Sequence, residues 1–296
     1  MRYEIRNEAF GALIDPDAPL QTVGGGFGFT EGPIWHPDEH WLMFSDIQNS
    51  RQYRWSEADG LTLFRRPSNQ ANGNCFDRSG RIISCEHTSS RVVRHEHDGK
   101  LVKVIASHFE GMAFNSPNDV VCDSKGRIWF TDPTFGRVRE ELGILRPQEL
   151  PFQGVFRLDP DGALTCVASD YEQPNGLCFS ADETRLFVND TVGGHIRVYA
   201  VDAAGHASGG AVWAEISGTG EGRPDGMKVT TGGHILCNGP GGVHVLSPQG
   251  ETLGVIRIPE KSTNFCFGGP GNATLFVTAS TSVYRIRTRL EGFPMI

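Results

Sequence analysis

The sequence has little positive charge and no long apolar segments. It contains 27 Lys and Arg residues against 35 Asp and Glu residues, which gives a formal net charge of −8. An acidic balance of this kind argues against a nucleic-acid groove and against an anionic membrane surface as partner. No apolar run is longer than the four residues Ala211–Ala214, glycine not counted, so no segment is expected to span a membrane.

Cysteine pairing motifs are absent as well. The number of cysteines is odd, no two of them form a Cys-x-x-Cys motif, and most lie in apolar runs. We therefore expect reduced, mostly buried thiols and a reducing compartment. Met1–Arg6 carries charge where a signal peptide would be apolar, which also predicts a cytoplasmic protein. The cysteines are Cys75, Cys85, Cys122, Cys166, Cys178, Cys237 and Cys266.

Several common enzyme signatures are missing. No amphipathic segments of about 10 to 15 residues separate the strand-like runs, which argues against a parallel βαβ fold. The sequence has no Gly-x-Ser-x-Gly motif, so a serine hydrolase is disfavoured. It also lacks a glycine-rich phosphate loop with its lysine.

Glycine is abundant instead, with 37 of 296 residues, and glycines recur in the turns of a repeated pattern. In each copy a polar residue, usually followed by Gly or Asp, opens a short apolar run. A charged glycine turn follows, and then a strand-like run that ends at a polar residue. Asn72–Asp77 followed by Arg81–Glu86 is one copy. The six openings are Glu31, Asn72, Asn118, Asn175, Asp225 and Asn264.

Each copy also has a second half with two further strand signals around a turn. Gly154–Leu158 and Ala163–Val167 flank the turn Asp159–Gly162, for example. Four strands in about 40 to 50 residues form one propeller blade. The sequence therefore predicts an all-β, six-bladed β-propeller as a single domain over residues 1–296.

The lengths of the copies predict two further features. The last copy, from Asn264, is short, so the N-terminal segment is expected to supply its fourth strand and close the ring. The spacing after Asn118 is long, and Arg137–Pro151 is expected to be an insertion that covers the channel mouth and tunes specificity.

The openings also suggest a metal site. The first strand of each blade lines the central channel, so all six opening side chains should converge there. All six carry a side-chain oxygen and two are carboxylates, a set suited to Ca²⁺, Mg²⁺ or Mn²⁺ and not to structural zinc. The alternative is that Asn and Asp before glycine serve turn geometry alone. Glu31 does not fit that alternative.

The chain resembles the gluconolactonase and regucalcin (senescence marker protein) family of six-bladed propeller hydrolases over residues 23–288. Its Asn-Ser-Pro-Asn-Asp phrase is similar to the bacterial gluconolactonase branch. The phrases that carry the resemblance are Thr30–Pro33, Cys85–His87, Asn115–Asp119, Phe130–Gly136, Gln173–Gly176 and Pro224–Gly226.

The resemblance implies an activity and a set of roles. A sugar lactone of the gluconolactone type would be opened to its aldonic acid, with one divalent metal ion as Lewis acid. Glu31, Asn175 and Asp225 would hold that ion, with calcium expected and magnesium, manganese or zinc as alternatives. Asn118 would contact the substrate, and Asp225 would be the catalytic acid or base. Ser116 stands where animal members have an arginine and is taken as a second substrate-binding residue, which leaves the identity of the sugar acid open.

Two other activities remain alternatives on the sequence. One is an aryl esterase or phosphotriesterase that also uses an axial metal. The other is a propeller that binds a divalent metal or a sugar acid without turnover. The expected partner is a small lactone, with neither nucleic acid nor membrane. The histidines His95, His97, His206 and His234 lie in or beside glycine turns and are expected to be solvated.

Overall fold

The computed structural model describes residues 2–96 and 98–293. Its helical elements within that range are two 3₁₀ turns, Glu8–Ala12 and Pro270–Asn272, and the four-residue helix α1 (Phe135–Val138). No helix in the described part of the chain is long and apolar enough to cross a membrane. The cytoplasmic location stays a prediction.

The rest of the regular structure is strand. In chain order the strands are β1 (Tyr3–Ile5), β2 (Gln21–Gly25), β3 (Thr30–His36), β4 (Trp41–Asp46), β5 (Arg51–Ser56), β6 (Gly60–Arg65), β7 (Ala71–Phe76), β8 (Ile82–Glu86), β9 (Arg91–His95), β10 (Leu101–Ala106), β11 (His108–Phe109), β12 (Met112–Ala113), β13 (Val120–Cys122), β14 (Ile128–Asp132), β15 (Gln153–Leu158), β16 (Leu164–Tyr171), β17 (Pro174–Phe179), β18 (Arg185–Asp190), β19 (His195–Val201), β20 (Ala207–Glu215), β21 (Met227–Val229), β22 (Ile235–Gly239), β23 (Gly242–Leu246), β24 (Thr252–Arg257), β25 (Ser262–Gly268), β26 (Thr274–Ala279) and β27 (Ser282–Arg287).

These strands form a six-bladed β-propeller, which confirms the predicted fold. The blades are the antiparallel sheets β3–β6, β7–β10, β13–β16, β17–β20, β21–β24 and β25–β27 with β2. The innermost strands contact one another in the cyclic order β3, β7, β13, β17, β21, β25 and back to β3. β11 and β12 form a separate two-stranded ribbon. That the whole chain is one domain stays a prediction.

The N-terminal segment closes the ring, as expected. β2 pairs with β27, with Gln21 opposite Arg285, and so becomes the outermost strand of the last blade. The sequence did not predict that β1 would add a fifth strand to the fifth blade, with Tyr3 opposite Ile256. The segment therefore binds two neighbouring blades across the closure.

A repeated aspartate turn explains the first hairpin of several blades. After β7, the side chain of Asp77 accepts hydrogen bonds from the backbone N–H of Ser79 and of Arg81, at 2.8 Å and 3.0 Å. Gly80 supplies the positive φ, +73°, that completes the turn. Asp123 accepts from Lys125 and Arg127 in the same way after β13. The short polar spacers of the sequence are thus specific turns.

The buried side chains include most cysteines and one unexpected histidine. All seven cysteines are free, and all but Cys122 and Cys166 are buried. His206 is exposed, as expected, whereas His234 is half-buried and His97 lies outside the described residues. The expectation is wrong for His95, which ends β9 with its ring turned inward, 2.9 Å from Ser84 Oγ. Burial lowers the pKa of His95 to about 4.

The packing of the N-terminal segment can be tested with Phe10→Ala. Phe10 is fully buried, and a β-carbon added at Gly254 would lie 2.4 Å from its ring. Its loss should lower the free energy of unfolding by about 3–5 kcal/mol in urea titrations. Ile5→Ala in the same segment is the control, because Ile5 is 61% exposed and should change stability by only about 0.5 kcal/mol. Equal losses in the two variants would contradict this account of the closure.

Candidate active site

Five of the six opening residues meet at one cavity of about 400 Å³. They are Glu31, Asn72, Asn118, Asn175 and Asp225. Asn264 is the exception and corrects the expectation of six converging side chains. It is buried and does not line the cavity; its Oδ1 accepts from the N–H of Phe265 at 2.9 Å and from Lys228 Nζ at 3.3 Å. Its side chain still reaches the site, because a hydrogen bond from Asn264 lowers the pKa of Glu31.

The glycines beside the openings allow close approach of neighbouring blades. A β-carbon at Gly32 would lie 2.0 Å from the carbonyl oxygen of Asn72, and one at Gly176 would lie 2.1 Å from that of Asp225. Glu31, Asn72 and Asn175 lie within β3, β7 and β17. The interpretation that these residues only form turns therefore does not hold for them.

Of the two opening carboxylates, Glu31 is buried and Asp225 is half-buried. Glu31 is 3% exposed, and its Oε2 accepts from the N–H of Gly32 at 2.8 Å. Burial raises the pKa of Glu31, and the nearby Asp119 carboxylate adds to that rise. Burial, followed by the charge of Glu31, raises the pKa of Asp225. Among the described residues neither carboxylate forms a salt bridge.

Asp119 is a further carboxylate close to this pair, which the sequence analysis did not single out. It is 3% exposed, and its Oδ1 accepts from the N–H of Val120 at 2.9 Å. Its Oδ2 has no hydrogen-bond partner within the described ranges. Burial raises its pKa, and the ammonium of Lys228 opposes that rise. The sequence feature that could have indicated this role is its position directly after the opening residue Asn118.

The donor set fits a hard divalent cation. Two carboxylates that repel one another face the same cavity as several amide oxygens, and a divalent cation would neutralise the pair. Asn72 Oδ1 is buried without a partner among the described atoms. Asn175 Nδ2 donates to Thr191 Oγ1 at 3.1 Å, which leaves its carbonyl oxygen for a ligand. No cluster of three or more His, Cys, Asp or Glu side chains suited to a metal occurs in residues 2–96 and 98–293, so amide ligands would be essential.

His87 orients one of these amides. His87 Nδ1 lies 2.8 Å from the carbonyl oxygen of Leu142, which can only accept, so Nδ1 carries the proton. Burial lowers the pKa of His87 to about 4, so the ring is neutral and its Nε2 is an acceptor. Asn72 Nδ2, 3.2 Å away, donates to that nitrogen. The Asn72 carbonyl oxygen is thereby turned away from His87.

The two residues expected to bind substrate differ in position. The Asn118 side chain lines the cavity, while its backbone N–H donates to the carbonyl oxygen of Thr131 at 2.8 Å. Ser116 is fully buried; its hydroxyl donates to the Pro133 carbonyl at 2.6 Å and accepts from the N–H of Gly136 at 3.0 Å. A substrate contact of Ser116 stays a prediction that this placement does not favour.

The insertion after α1 covers one side of the cavity, in line with the expectation for Arg137–Pro151. Leu142 and Arg139 line the cavity together with Phe135. Arg137 donates from Nε to the Asn115 carbonyl at 2.9 Å, and Arg146 donates from Nη1 to the Thr88 carbonyl at 2.8 Å. The two arginines thus fasten the insertion to the second and third blades.

A second cavity, of about 430 Å³, lies further along the innermost strands. Its walls are mainly apolar and include Cys75, Cys122 and Cys178. The acidic residue in its lining, Glu183, is engaged with Ser124, whose N–H donates to it at 2.7 Å. The cavity lacks the paired carboxylates and amides of the first, which we take as the candidate active site.

Asp132 supports the segment that leads to Asn118. Its Oδ2 accepts from the N–H of Asn115 at 2.8 Å, so this aspartate caps the turn before Asn118. Asp132 is fully buried, and Oδ1 has no partner in the described part of the structure. Burial raises the pKa of Asp132 to about 7.

This raised pKa predicts a pH dependence of stability. The unfolded chain loses the Asp132 proton near pH ~3.9, and the folded chain keeps it until about pH 7. Its contribution is therefore complete below the unfolded pKa and is lost as pH rises towards 7, at about 1.4 kcal/mol per pH unit. Urea unfolding between about pH 5 and pH 7 should show a smaller decline for Asp132→Asn than for wild type. Asp38→Asn, on the exposed surface, is the control; an unchanged slope in Asp132→Asn would contradict the assignment.

Comparison with known proteins assigns this chain to a family. Residues 29–281 match the family model described as SMP-30/Gluconolactonase/LRE-like region. The chain is 31% identical over 303 residues to the gluconolactonase of Zymomonas mobilis, covering 95% of this chain and 84% of that protein. It is 30% identical over 259 residues to pentonolactonase XacC of Haloferax volcanii, covering 84% and 81%. The solved structure of the Xanthomonas campestris gluconolactonase XC5397 is 31% identical, covers 97% of this chain and 95% of that one, and superposes with a TM-score of 0.90. The chain belongs to the SMP-30/gluconolactonase/LRE-like family.

Proposed function

We propose that this protein is an enzyme that hydrolyses a sugar lactone of the gluconolactone type to its aldonic acid. The observation that carries the proposal is the pair of carboxylates, Glu31 and Asp225, which face one cavity together with Asn118 and form no salt bridge among the described residues. The gluconolactonase and pentonolactonase relatives support the choice of a lactone.

Glu31, Asn175 and Asp225 would hold one divalent cation in this proposal. Calcium is the expected ion because all three donors are oxygens, with magnesium, manganese or zinc as alternatives. When bound, the cation supplies Lewis acidity that stabilises negative charge on the lactone carbonyl oxygen. Asn175 is held for this task by its hydrogen bond to Thr191, which fixes the plane of the amide.

The protein side chains would supply the remaining chemistry. The Asn118 amide can donate a hydrogen bond to the carbonyl oxygen as it gains negative charge. The Asp225 carboxylate can accept a proton from the attacking water while the water oxygen bonds to the carbonyl carbon. The ring C–O bond then breaks, and the proton returns from Asp225 to the departing oxygen. The product is an open-chain hydroxy acid.

The alternatives predict different substrate profiles. A pH-stat assay with several sugar lactones, p-nitrophenyl acetate and a phosphotriester, each with and without chelator, separates them. If the proposal is right, a sugar lactone causes base uptake, and chelator abolishes that uptake. Turnover of the aryl ester or phosphotriester alone would favour the esterase alternative. No turnover with metal present would favour a binding protein.

Substitutions at the cavity test the individual roles. Glu31→Ala and Asp225→Ala each remove half of the ligand charge, so metal content and activity should both be lost. Asn118→Ala is the matched control for metal: it should retain the ion while kcat/KM falls by about 10²-fold, the scale of one lost oxyanion donor. Metal analysis and melting temperatures of the purified variants give the readout. Unchanged metal content in the two carboxylate variants would refute the proposed ligand set.

Asp225→Asn tests the catalytic base separately. The variant keeps an oxygen that can bind the cation but cannot accept the proton from water. We expect retained metal at raised cation concentration and strongly reduced kcat. A metal-loaded Asp225→Asn enzyme that turns over near the wild-type rate would show that another group takes the proton.

A further inference from the structure

The candidate active site carries charges of both signs, and they lie at different depths. Its lining includes three acidic residues, Glu31, Glu221 and Asp225, and three basic residues, Arg139, Arg223 and Lys261. Glu31 is buried at the base, whereas Arg139, Arg223 and Glu221 are exposed and Lys261 is half-buried. With the proposed divalent cation in place, the base is neutral and the rim keeps three positive charges against one negative charge. The mouth is therefore cationic although the chain as a whole has a net charge of −8.

Arg139 is held over the cavity by the short helix α1. Its backbone N–H donates to the carbonyl oxygen of Phe135 at 3.1 Å, which ends the helix at the cavity edge. Its guanidinium carbon lies 5.3 Å from the centre of the Phe135 ring, and Phe135 itself lines the cavity. An aromatic ring thus supports this cation and leaves its N–H groups for a ligand.

Arg223 lies on the loop 217–224, which is fastened to the fifth blade. The carbonyl oxygen of Glu221 accepts from the N–H of Gly241 at 2.8 Å, and that of Thr219 accepts from Arg257 at 2.9 Å. Gly222 has φ +121°, and a β-carbon there would lie 2.4 Å from the Gly239 carbonyl oxygen. The backbone that presents Arg223 therefore has one defined path.

Lys261 reaches the same opening from the segment before β25, in the blade next to that of Arg223. Its Nζ lies 5.7 Å from the centre of the Phe29 ring, and Phe29 lines the cavity. Its charge also opposes the rise in the pKa of Asp225, so it lies within electrostatic range of the carboxylate pair. Two of the three rim cations are thus placed by aromatic residues of the cavity wall.

None of the three cations forms an ion pair with an acidic side chain of the described residues. In an acidic protein, three unpaired cations around one opening would attract an anion and raise its local concentration. Arginine is also the side chain whose planar fork best matches a carboxylate or a phosphate. The rim has the chemistry of an anion-binding surface.

We propose that the substrate is an anionic lactone, a sugar lactone with a phosphate or carboxylate group at the end remote from the reacting carbonyl. The carbonyl would lie at the base beside Asp225, and the anionic group would meet Arg139, Arg223 and Lys261 at the mouth. This inference rests on the proposed function, because it takes the orientation of the substrate from the base of the cavity. It adds a specificity that the oxygen ligands alone do not provide.

The test compares three lactones at equal ring structure: glucono-1,5-lactone, its 6-phosphate, and a glucarolactone with a carboxylate at that end. Initial rates in a pH-stat, corrected for spontaneous hydrolysis, should give a kcat/KM at least about tenfold higher for an anionic lactone than for the neutral one. Added salt should reduce that ratio, because screening weakens attraction at an exposed rim. The two anionic probes distinguish a phosphate from a carboxylate. A ratio near one for both would overturn the inference.

Substitutions of the two rim arginines test whether the rim causes the preference for anionic over neutral lactones. In Arg139→Gln and Arg223→Gln the ratio of anionic to neutral kcat/KM should fall by about tenfold in each, the loss of one charge-assisted hydrogen bond. Lys103→Gln is the charge-matched control, because Lys103 is exposed on β10 and does not line the cavity. An unchanged ratio in both arginine variants, or an effect confined to product inhibition by gluconate, would show that the rim does not select the substrate.

Binding measurements keep this inference separate from the proposed function. Calorimetry with gluconate 6-phosphate and gluconate reports on the rim without any turnover. Tighter binding of the phosphorylated acid, lost in Arg139→Gln and Arg223→Gln, would support the anionic site even for a protein that hydrolysed none of the three lactones. Equal binding of the two acids would refute it whatever the activity on the neutral lactone.

Discussion

The close approach of neighbouring innermost strands is the constraint on which the site depends. It requires glycine beside the opening residues, because a β-carbon at Gly32, Gly176 or Gly226 would lie between 2.0 Å and 2.1 Å from an atom of the next blade. Even an alanine would force the blades apart at the axis. The narrow ring in turn brings side chains from strands far apart in sequence to one cavity.

That convergence has an electrostatic cost. Glu31 and Asp225 are brought together at one cavity, with Asp119 within electrostatic range, and burial raises the pKa of all three carboxyl groups. Asp123, by contrast, is a buried carboxylate whose charge is balanced within the fold by Arg127, at 2.6 Å. The site instead leaves its charge for a ligand to balance, which is typical of functional residues.

The sequence predicted the fold and most of the residues at the base of the cavity, because both follow from the repeat. Six copies of one pattern specify six blades, and equivalent positions in a symmetric ring must converge. Residues that depart from the symmetry of the repeat could not be predicted from the repeat. Asn264 occupies an opening but accepts a hydrogen bond from Lys228, and the hydroxyl of Ser116 donates to the backbone carbonyl of Pro133. His95 is the last residue of β9, and that its ring faces inward became clear only from its contact with Ser84.

The sequence predicted that the insertion carrying Arg139 covers the cavity mouth, but it did not predict the cationic rim. Arg139 and Arg223 lie in connecting segments outside the repeat, and their meeting depends on loop paths fixed by contacts such as Gly241 with Glu221. The base and the rim thus have different structural origins. The base is built from innermost strands that cannot move apart without breaking the ring, whereas the rim is built from loops fastened to blade surfaces. Changes in those loops can therefore alter which lactone is accepted without disturbing the oxygen atoms at the base.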